Sequence, residues 1–302
     1  MPGGTYRLYG LAVRSPLALN CPRDGRPADV TIGRMGGSAD GRIGGARASR
    51  DWFSYQRCAD GSAFLRWRGL SDFTISADGA AVRWRRLPAV TDEAFRGYLL
   101  SQVLSFSLLA RGREPLHASA VAVDGGVIAF LGDCGLGKSS LTAAFLQAGY
   151  PLVTDDLLVL FRRGAGYTVE PGIPSIKLAP GIARRLLGAR RTGPRMVPGA
   201  AKRIIPMPSS MRARDPLPLR ALYVLSRGRS LHITPMSQAA ALLEIVRDTF
   251  NTVRLDSGRL ATQFRFARRL AGNARVRLLV YPRRLAGIER VREAVLADCR
   301  TA

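Results

Sequence analysis

The sequence has few cysteines and histidines and lacks a long apolar run. Its 302 residues include four cysteines, none in a CxxC pair, and two histidines. This excludes a disulfide-rich fold and offers no Cys/His metal cluster, so the cysteines are interpreted as free thiols. No charge-free apolar stretch of about 18 residues predicts a transmembrane helix. Because the first residues also lack a signal-peptide layout, we expect a cytoplasmic protein.

Acidic residues and lysines are also scarce. The chain carries 22 acidic against 46 basic residues, a formal net charge of +24, and only three of the basic residues are lysines. Such a charge attracts phosphates, nucleotides, acidic peptides or nucleic acid. No nucleic-acid recognition motif accompanies it, so a specific nucleic-acid partner is not expected. Because arginine is the usual basic residue of this chain, the three lysines, Lys138, Lys177 and Lys202, are candidates for tasks that need a compact ammonium group.

The N-terminal part, residues 1–90, is predicted to be a small and mostly β domain. Short β-type runs alternate there with Gly, Asp and Ser clusters. The expected strands are 6–13, 30–32, 63–67, 73–75 and 81–84. The Gly- and Arg-rich segment 34–47 is predicted to be a mobile surface loop. Thr91, Asp92 and Glu93 begin a predicted helix within 91–113, which connects this domain to the rest of the chain.

Residues 114–302 alternate strands with helices, which predicts an α/β domain and an α+β chain overall. The expected strands are 117–123, 127–131, 152–153, 157–161, 221–226, 231–234 and 276–281. The expected helices are 138–148, 181–187, 237–249 and 285–297. The long segment 188–218, rich in Pro and Arg, is typical of a functional or disordered loop.

A glycine-rich run lies between the predicted strand 127–131 and the predicted amphipathic helix 138–148. It fits GxxxxGK[ST] and consists of Gly132, Asp133, Cys134, Gly135, Leu136, Gly137, Lys138 and Ser139, with Ser140 following. Glycines let the backbone fold around a phosphate, and the helix N-terminus adds a positive dipole end. In this context the run predicts an ATP-binding P-loop, in which Lys138 reaches the β- and γ-phosphates and Ser139 ligates Mg²⁺. A chance glycine turn is the alternative.

Two adjacent carboxylates, Asp155 and Asp156, follow the next short strand. They are expected at the carboxyl end of that strand, where ligands of α/β sheets bind. Together they offer a metal ligand and a base for an acceptor hydroxyl, although a turn or helix cap is the alternative. His117 opens the strand before the P-loop strand, so the hairpin leaves it either at the nucleotide end or at the opposite end. His232 lacks a partner motif and is interpreted as structural.

Three segments together resemble a known family. They are 116–123 (LHASAVAV), the P-loop, and 149–156 (GYPLVTDD). The combination is similar to the HPr serine kinase/phosphorylase superfamily, and more closely to the HPr-kinase-related serine kinases of lasso-peptide biosynthesis. The detailed match covers about 116–180.

The resemblance implies a fold, an activity and roles for residues. The fold is a PEPCK-like P-loop core, and the activity is ATP- and Mg²⁺-dependent transfer to a serine hydroxyl. Asp155 is implied as the base, Asp156 as a metal ligand and His117 as an orienting partner. The acceptor implied by the lasso-associated relatives is a serine at the C-terminus of a precursor peptide. HPr kinases form rings, which makes a homo-oligomer one expectation, although the sequence shows no interface.

The sequence departs from the HPr kinases proper at two places. Ser140 stands where they have an acidic residue, and 170–178 does not reproduce their second signature. HPr as substrate and a phosphorylase back-reaction are therefore not predicted. Lys177, Lys202 and Arg203 are candidates to hold phosphates or a peptide carboxylate, or are solvated surface charges. Another protein or a small hydroxylated metabolite as acceptor, and a P-loop ATPase switch without an acceptor, are the alternatives.

Overall fold

A computed structural model describes residues 3–36, 51–188, 193, 195, 201–250 and 257–301. By its internal contacts the chain divides into two units, Met1–Arg113 and Glu114–Ala302. Among the described residues, no helix is long and apolar enough to span a membrane. The four cysteines are free thiols. The predicted α/β class, with mixed sheets, flanking helices and a mostly β N-terminal part, is confirmed.

The first unit is a β-sheet with two short helices. Its strands are β1 (Gly4–Leu8), β2 (Leu11–Ser15), β3 (Val30–Arg34), β4 (Phe53–Arg57), β5 (Ala63–Trp67), β6 (Ser71–Ile75) and β7 (Ala81–Arg86). They form one sheet in the order β1-β2-β3-β7-β6-β5-β4. The helices are α1 (Asp92–Tyr98) and α2 (Leu104–Ala110), joined by the π-helical turn Leu99–Val103. This segment, predicted as a connecting helix, belongs to the first unit.

Local sequence explains much of this unit. Side chains alternate between buried and exposed along β7, as expected for a sheet with one face on a core. Thr91 caps α1 by accepting a hydrogen bond from the Ala94 amide at 3.2 Å, with two acidic residues in the first turn. The predicted strand 6–13 is instead a hairpin, because Tyr9 and Gly10 take positive φ and turn the chain. The sequence does not predict β4, and residues 37–47 of the predicted loop lie outside the described residues.

The second unit alternates strands and helices. Its strands are β8 (Ser119–Val123), β9 (Gly126–Leu131), β10 (Leu152–Asp155), β11 (Leu160–Arg163), β12 (Gly166–Val169), β13 (Ser175–Leu178), β14 (Arg203–Pro206), β15 (Leu217–Arg227), β16 (His232–Pro235) and β17 (Val276–Tyr281). Its helices are α3 (Lys138–Gln147), α4 (Pro180–Leu187), α5 (Gln238–Arg247), α6 (Ser257–Asn273) and α7 (Ile288–Arg300), with a 3₁₀ turn at Ser209–Met211.

The central sheet brings several strand ends to one edge. β9, β15 and β17 are parallel neighbours, while β8 runs antiparallel to both β9 and β10. The C-terminal ends of β9, β10, β15 and β17 therefore share an edge with the N-terminal end of β8. This edge is where ligands of α/β sheets bind, and it carries the P-loop.

The packing corrects several predictions. The sequence predicts an amphipathic helix after the P-loop. Helix α3 is not amphipathic, because the consecutive residues Leu141–Leu146 are all buried where it packs between the sheet, α4 and α7. Strand β9 is likewise buried at every position. The segment 188–218 contains β14, which pairs with β13, and the start of β15. The elements β12, β13, β14 and α6 are absent from the sequence prediction. Residues 189–192, 194 and 196–200 lie outside the described residues.

Candidate active site

The glycine-rich run forms a loop between β9 and α3. Gly132, Gly135 and Gly137 have φ of +123°, +93° and +107°, which side-chain-bearing residues rarely adopt. A Cβ on Gly137 would also lie 2.7 Å from the hydroxyl oxygen of Tyr281. Both the backbone conformation and the close approach of Tyr281 therefore require glycine at the base of α3.

Lys138 lies inside this loop at the first position of α3. Lys138 is 7% exposed. Its ammonium group donates hydrogen bonds to the carbonyl oxygen of Gly132 and, at 3.4 Å, to that of Asp133. Burial lowers the pKa of Lys138, because the charged form is poorly solvated there. The cation is thus held where the loop and the helix N-terminus converge, as binding of a phosphate chain requires.

Asp155 ends β10 and accepts hydrogen bonds from three directions. The hydroxyl groups of Ser119 and Ser139 donate to its Oδ1, the latter at 3.0 Å, and the Lys177 amide donates to its Oδ2 at 2.9 Å. The residue is 4% exposed. The contact with Ser139 brings together the P-loop hydroxyl and a carboxylate from the end of β10, and both are oxygen ligands of the kind that Mg²⁺ prefers.

Asp156 faces a different set of partners. Its carboxylate is 2.6 Å from the Lys177 ammonium group and 3.5 Å from Nε2 of His117. Burial alone would raise the pKa of Asp156, but the Lys177 cation and the hydrogen bonds from His117 and Lys177 hold it well below the ordinary value. Asp156 has φ of +95°, an uncommon conformation for a residue with a side chain. The backbone therefore turns the two neighbouring carboxylates toward different partners.

His117 lies at the P-loop end of the sheet, which resolves the alternative that the sequence left open. Because β8 is antiparallel to β9, its N-terminal end meets the P-loop edge. The second histidine, His232, is exposed on β16, where it pairs in register with Val280, and does not line the cleft beside the P-loop.

This cleft has a volume of about 220 Å³. Its walls include His117, the P-loop, the Asp155–Asp156 pair and four cationic side chains. The cations are Lys138, Lys177, Lys202 and Arg283. Arg203 is not a lining residue; it lies in β14, opposite Leu178 of β13. Of the predicted site residues, Gly132, Leu136 and Arg203 do not line the cleft, whereas the others do, and the structure adds Arg283 and Ser119.

The residues of the cleft can hold a magnesium ion only if the phosphates of a nucleotide supply further ligands. Among the described residues, no group of three or more His, Cys, Asp or Glu side chains is placed to hold a metal. Mg²⁺ at nucleotide sites, however, needs only one or two protein oxygens, because phosphates and waters supply the remainder. The paired oxygens of Ser139 and Asp155 meet that requirement.

Comparison with known proteins gives limited similarity. No protein-family model and no curated protein sequence matches the chain. Among solved structures, the chain is similar to an HPr(Ser) kinase/phosphatase from Coxiella burnetii, with a TM-score of 0.35 and 12% identity. The match covers 62% of this chain and 97% of that chain. At this similarity, neither the fold nor the chemistry is inferred from it.

Asp248 is a site residue that the sequence does not reveal. It follows α5, and its Oδ2 accepts a hydrogen bond from the Gly132 amide at 2.7 Å. Its backbone carbonyl accepts from the His117 amide at 2.6 Å. The Phe250 ring packs edge-on against the His117 ring, with 5.6 Å between centroids. The segment 248–250 therefore contacts both the P-loop and His117.

Asp248 also carries an electrostatic cost. Burial raises the pKa of its carboxyl group, although the Gly132 hydrogen bond and the nearby Lys138 partly oppose the effect. Asp248 belongs to no local motif with the P-loop, because more than a hundred residues of chain separate it from Gly132. Ser119 belongs to the LHASAVAV segment, but its contact with Asp155 depends on the β8–β10 pairing.

Proposed function

We propose that the chain is an ATP-dependent serine kinase whose acceptor is the C-terminal serine of a lasso-type precursor peptide. The observation that carries the kinase part is the contact of Ser139 with Asp155 beside the separate group formed by Asp156, His117 and Lys177. A metal-binding pair and a second, independently oriented carboxylate are the two parts that phosphoryl transfer to a hydroxyl needs in addition to the P-loop.

The roles of the two carboxylates follow from their partners. We assign Asp155 to the metal, because it contacts the P-loop hydroxyl, and Asp156 to the acceptor, because His117 and Lys177 orient it. This exchanges the roles that the family resemblance implies, and the assignment is a proposal that Asp-to-Asn variants test. Mg²⁺ bound at Ser139 and Asp155 would neutralise charge on the β- and γ-phosphates.

The proposed reaction is an in-line displacement. The acceptor oxygen forms a bond to the γ-phosphorus while its proton passes to the Asp156 carboxylate. The bond between the γ-phosphorus and the oxygen bridging to the β-phosphate breaks, and ADP leaves with that electron pair. Lys138 binds the phosphates, while positioning in the cleft and electrostatic stabilisation supply most of the rate enhancement.

The peptide acceptor is supported by the family resemblance and by the charge of the cleft. A C-terminal serine presents its hydroxyl next to a free carboxylate. Lys177 and Lys202 line the cleft and supply cations for that carboxylate. A carboxylate-bearing acceptor fits these walls better than a neutral alcohol does.

The test uses three peptides that differ only at the last residue. One ends in serine with a free carboxylate, one in serine amide, and one in alanine. After incubation with ATP and Mg²⁺, mass spectrometry should show a phosphate-sized gain on the first, less on the second and none on the third. If no peptide gains phosphate while the protein binds ATP, the peptide-kinase proposal fails, and hydroxylated metabolites become the acceptors to screen.

A further inference from the structure

A second cavity, of about 190 Å³, opens beside the P-loop between the end of β17, the start of α7 and α4. Its apolar wall is formed by Ile182, Leu285 and Ile288, and two arginines, Arg283 and Arg284, lie at its edge. Ile182 and Leu285 are partly buried and pack against the core of the second unit. The cavity is therefore built on the folded core.

This cavity adjoins the catalytic cleft. Gly137, Ser140, Ile182 and Arg283 line both spaces. The carboxylates and His117, in contrast, line only the cleft. The second cavity thus extends from the P-loop on the side away from the acceptor carboxylates.

The direction of the phosphate chain follows from the P-loop. In a bound nucleotide the γ-phosphate would lie near Asp155, Ser139 would hold the metal, and Lys138 would reach the β- and γ-phosphates. Ser140 is the next residue of α3, and the N-terminal turn of a helix presents free amides to anions. A phosphate chain that begins at the carboxylates and passes Ser140 leads into the second cavity.

Tyr281 fixes one wall of this cavity to the P-loop. Its hydroxyl group donates to the Leu136 carbonyl at 2.8 Å, and its ring lies against the glycine at 137. Burial raises the pKa of Tyr281 to about 12, so the hydroxyl remains a donor at neutral pH. The cavity and the phosphate loop are therefore held in one arrangement.

We propose that this cavity binds the base and ribose of the nucleoside triphosphate, an inference that rests on the proposed nucleotide-dependent function. The branched apolar side chains of Ile182, Leu285 and Ile288 can pack against the flat faces of a base. Most ligand pockets use apolar contacts of this kind. The planar guanidinium groups of Arg283 and Arg284 suit stacking on a base or pairing with the phosphate nearest the ribose. The base thus adds affinity that the phosphates alone do not provide.

The experiment compares ATP with inorganic tripolyphosphate, each with Mg²⁺, by titration calorimetry. The variants are Leu285→Ser and Ile182→Ser, which remove apolar contacts from two walls without adding charge. The matched control is Leu243→Ser, since Leu243 is 60% exposed on α5 and outside both cavities. Thermal unfolding of each variant checks that it is folded.

We expect each cavity variant to weaken ATP binding about tenfold, the scale of losing an apolar contact in a pocket, and to change tripolyphosphate binding less than about twofold. Unchanged ATP affinity in both folded variants, or equal weakening of ATP and tripolyphosphate, overturns the subsite and leaves the proposed function intact. Wild-type protein that binds neither ATP nor tripolyphosphate overturns the proposed function and the subsite with it.

Discussion

The hydroxyl group of Ser139 donates to Oδ1 of Asp155 at 3.0 Å, so the first turn of α3 is joined to the end of β10. This contact ties the P-loop to the end of β10 at the position where a nucleotide-bound metal would lie. The adjacent carboxylate of Asp156 contacts Lys177 and His117 instead.

The first prediction concerns metal-dependent nucleotide binding. In the wild type, Mg²⁺ should strengthen ADP binding, and Asp155→Asn should reduce this strengthening about tenfold, because one charged metal ligand is lost. Calorimetric titration of ADP with and without Mg²⁺ measures it. Asp124→Asn is the control, since Asp124 lies in an exposed turn and pairs with Arg300. An Asp155→Asn variant with the wild-type magnesium effect would contradict the assignment.

The second prediction concerns the acceptor carboxylate. Asp156→Asn should keep the magnesium-dependent ADP affinity but lower the rate of phosphoryl transfer on the order of 10²- to 10⁴-fold, the usual effect of removing a general base. His117→Gln should lower the rate less, because it removes only an orienting contact. Single-turnover kinetics with saturating ATP measures both. The assignment is wrong if Asp156→Asn transfers at the wild-type rate while Asp155→Asn alone is inactive.

The third prediction concerns pH. Lys177 holds the pKa of Asp156 below its ordinary value, so the ionised carboxylate stabilises the folded state above the unfolded pKa of about 3.9. That contribution is lost as the pH falls through the lower folded pKa. In Lys177→Met the carboxyl pKa should rise, so the acid limb of kcat/KM and the acid loss of stability both move to higher pH. Activity profiles and thermal unfolding between about pH 7 and about pH 3 measure the shift.

A control separates this effect from general charge removal. Arg247→Met removes a cation that pairs with Glu244 on the surface of α5 and leaves the cleft unchanged. Its acid limb should coincide with that of the wild type. If Arg247→Met shifts the profile as far as Lys177→Met does, the shift reflects net charge rather than the Asp156 contact.

The fourth prediction concerns Asp248. Asp248→Ala leaves the buried Gly132 amide without its acceptor, which should cost about 1–3 kcal/mol of stability and weaken ATP binding. Asp248→Asn retains an acceptor oxygen and removes a carboxylate whose pKa burial raises. A raised folded pKa gives stability that is complete below the unfolded pKa and is lost as the pH rises through the folded pKa. Asp248→Asn should therefore match or exceed wild-type stability at neutral pH.

Denaturant unfolding at two pH values tests both variants. The difference between Asp248→Asn and the wild type should shrink as the pH falls below the folded pKa, since the wild-type carboxyl group then becomes neutral. If Asp248→Asn is as destabilised as Asp248→Ala at neutral pH, the carboxylate charge itself holds the loop, and the proposed electrostatic cost of Asp248 is wrong.

The P-loop and the carboxylate pair are accessible from the sequence because their chemistry depends on residues close together in the chain. Glycines at 132 and 137 before Lys138 predict a turn with inward amides whatever the remaining fold is. A short apolar run before Asp155 predicts the end of β10. Helices α4 and α5 are likewise marked by apolar spacing and end near their predicted bounds.

The parts that the sequence does not reveal depend on long-range pairing. Asp248 reaches Gly132 only because the segment after α5 pairs with residues 115–117. Arg283 is one of many arginines and has no local signal. Helix α6 does carry apolar residues at helical spacing, at Leu260, Phe264, Ala267 and Ala271, so long-range pairing does not account for its absence from the prediction. The position of His117, in contrast, follows once β8 and β9 form an antiparallel hairpin, because the start of β8 then lies beside the end of β9.

The fate of the γ-phosphate tests the proposed kinase activity most directly. ATP labelled at that phosphate is incubated with Mg²⁺, the wild-type protein and a peptide ending in serine, and the label is divided between peptide and inorganic phosphate. We predict that most of the label is on the serine side chain and that Asp156→Asn slows this transfer on the order of 10²- to 10⁴-fold while ADP still binds. Label released only as inorganic phosphate, with or without peptide, would contradict the kinase proposal and indicate an ATPase switch.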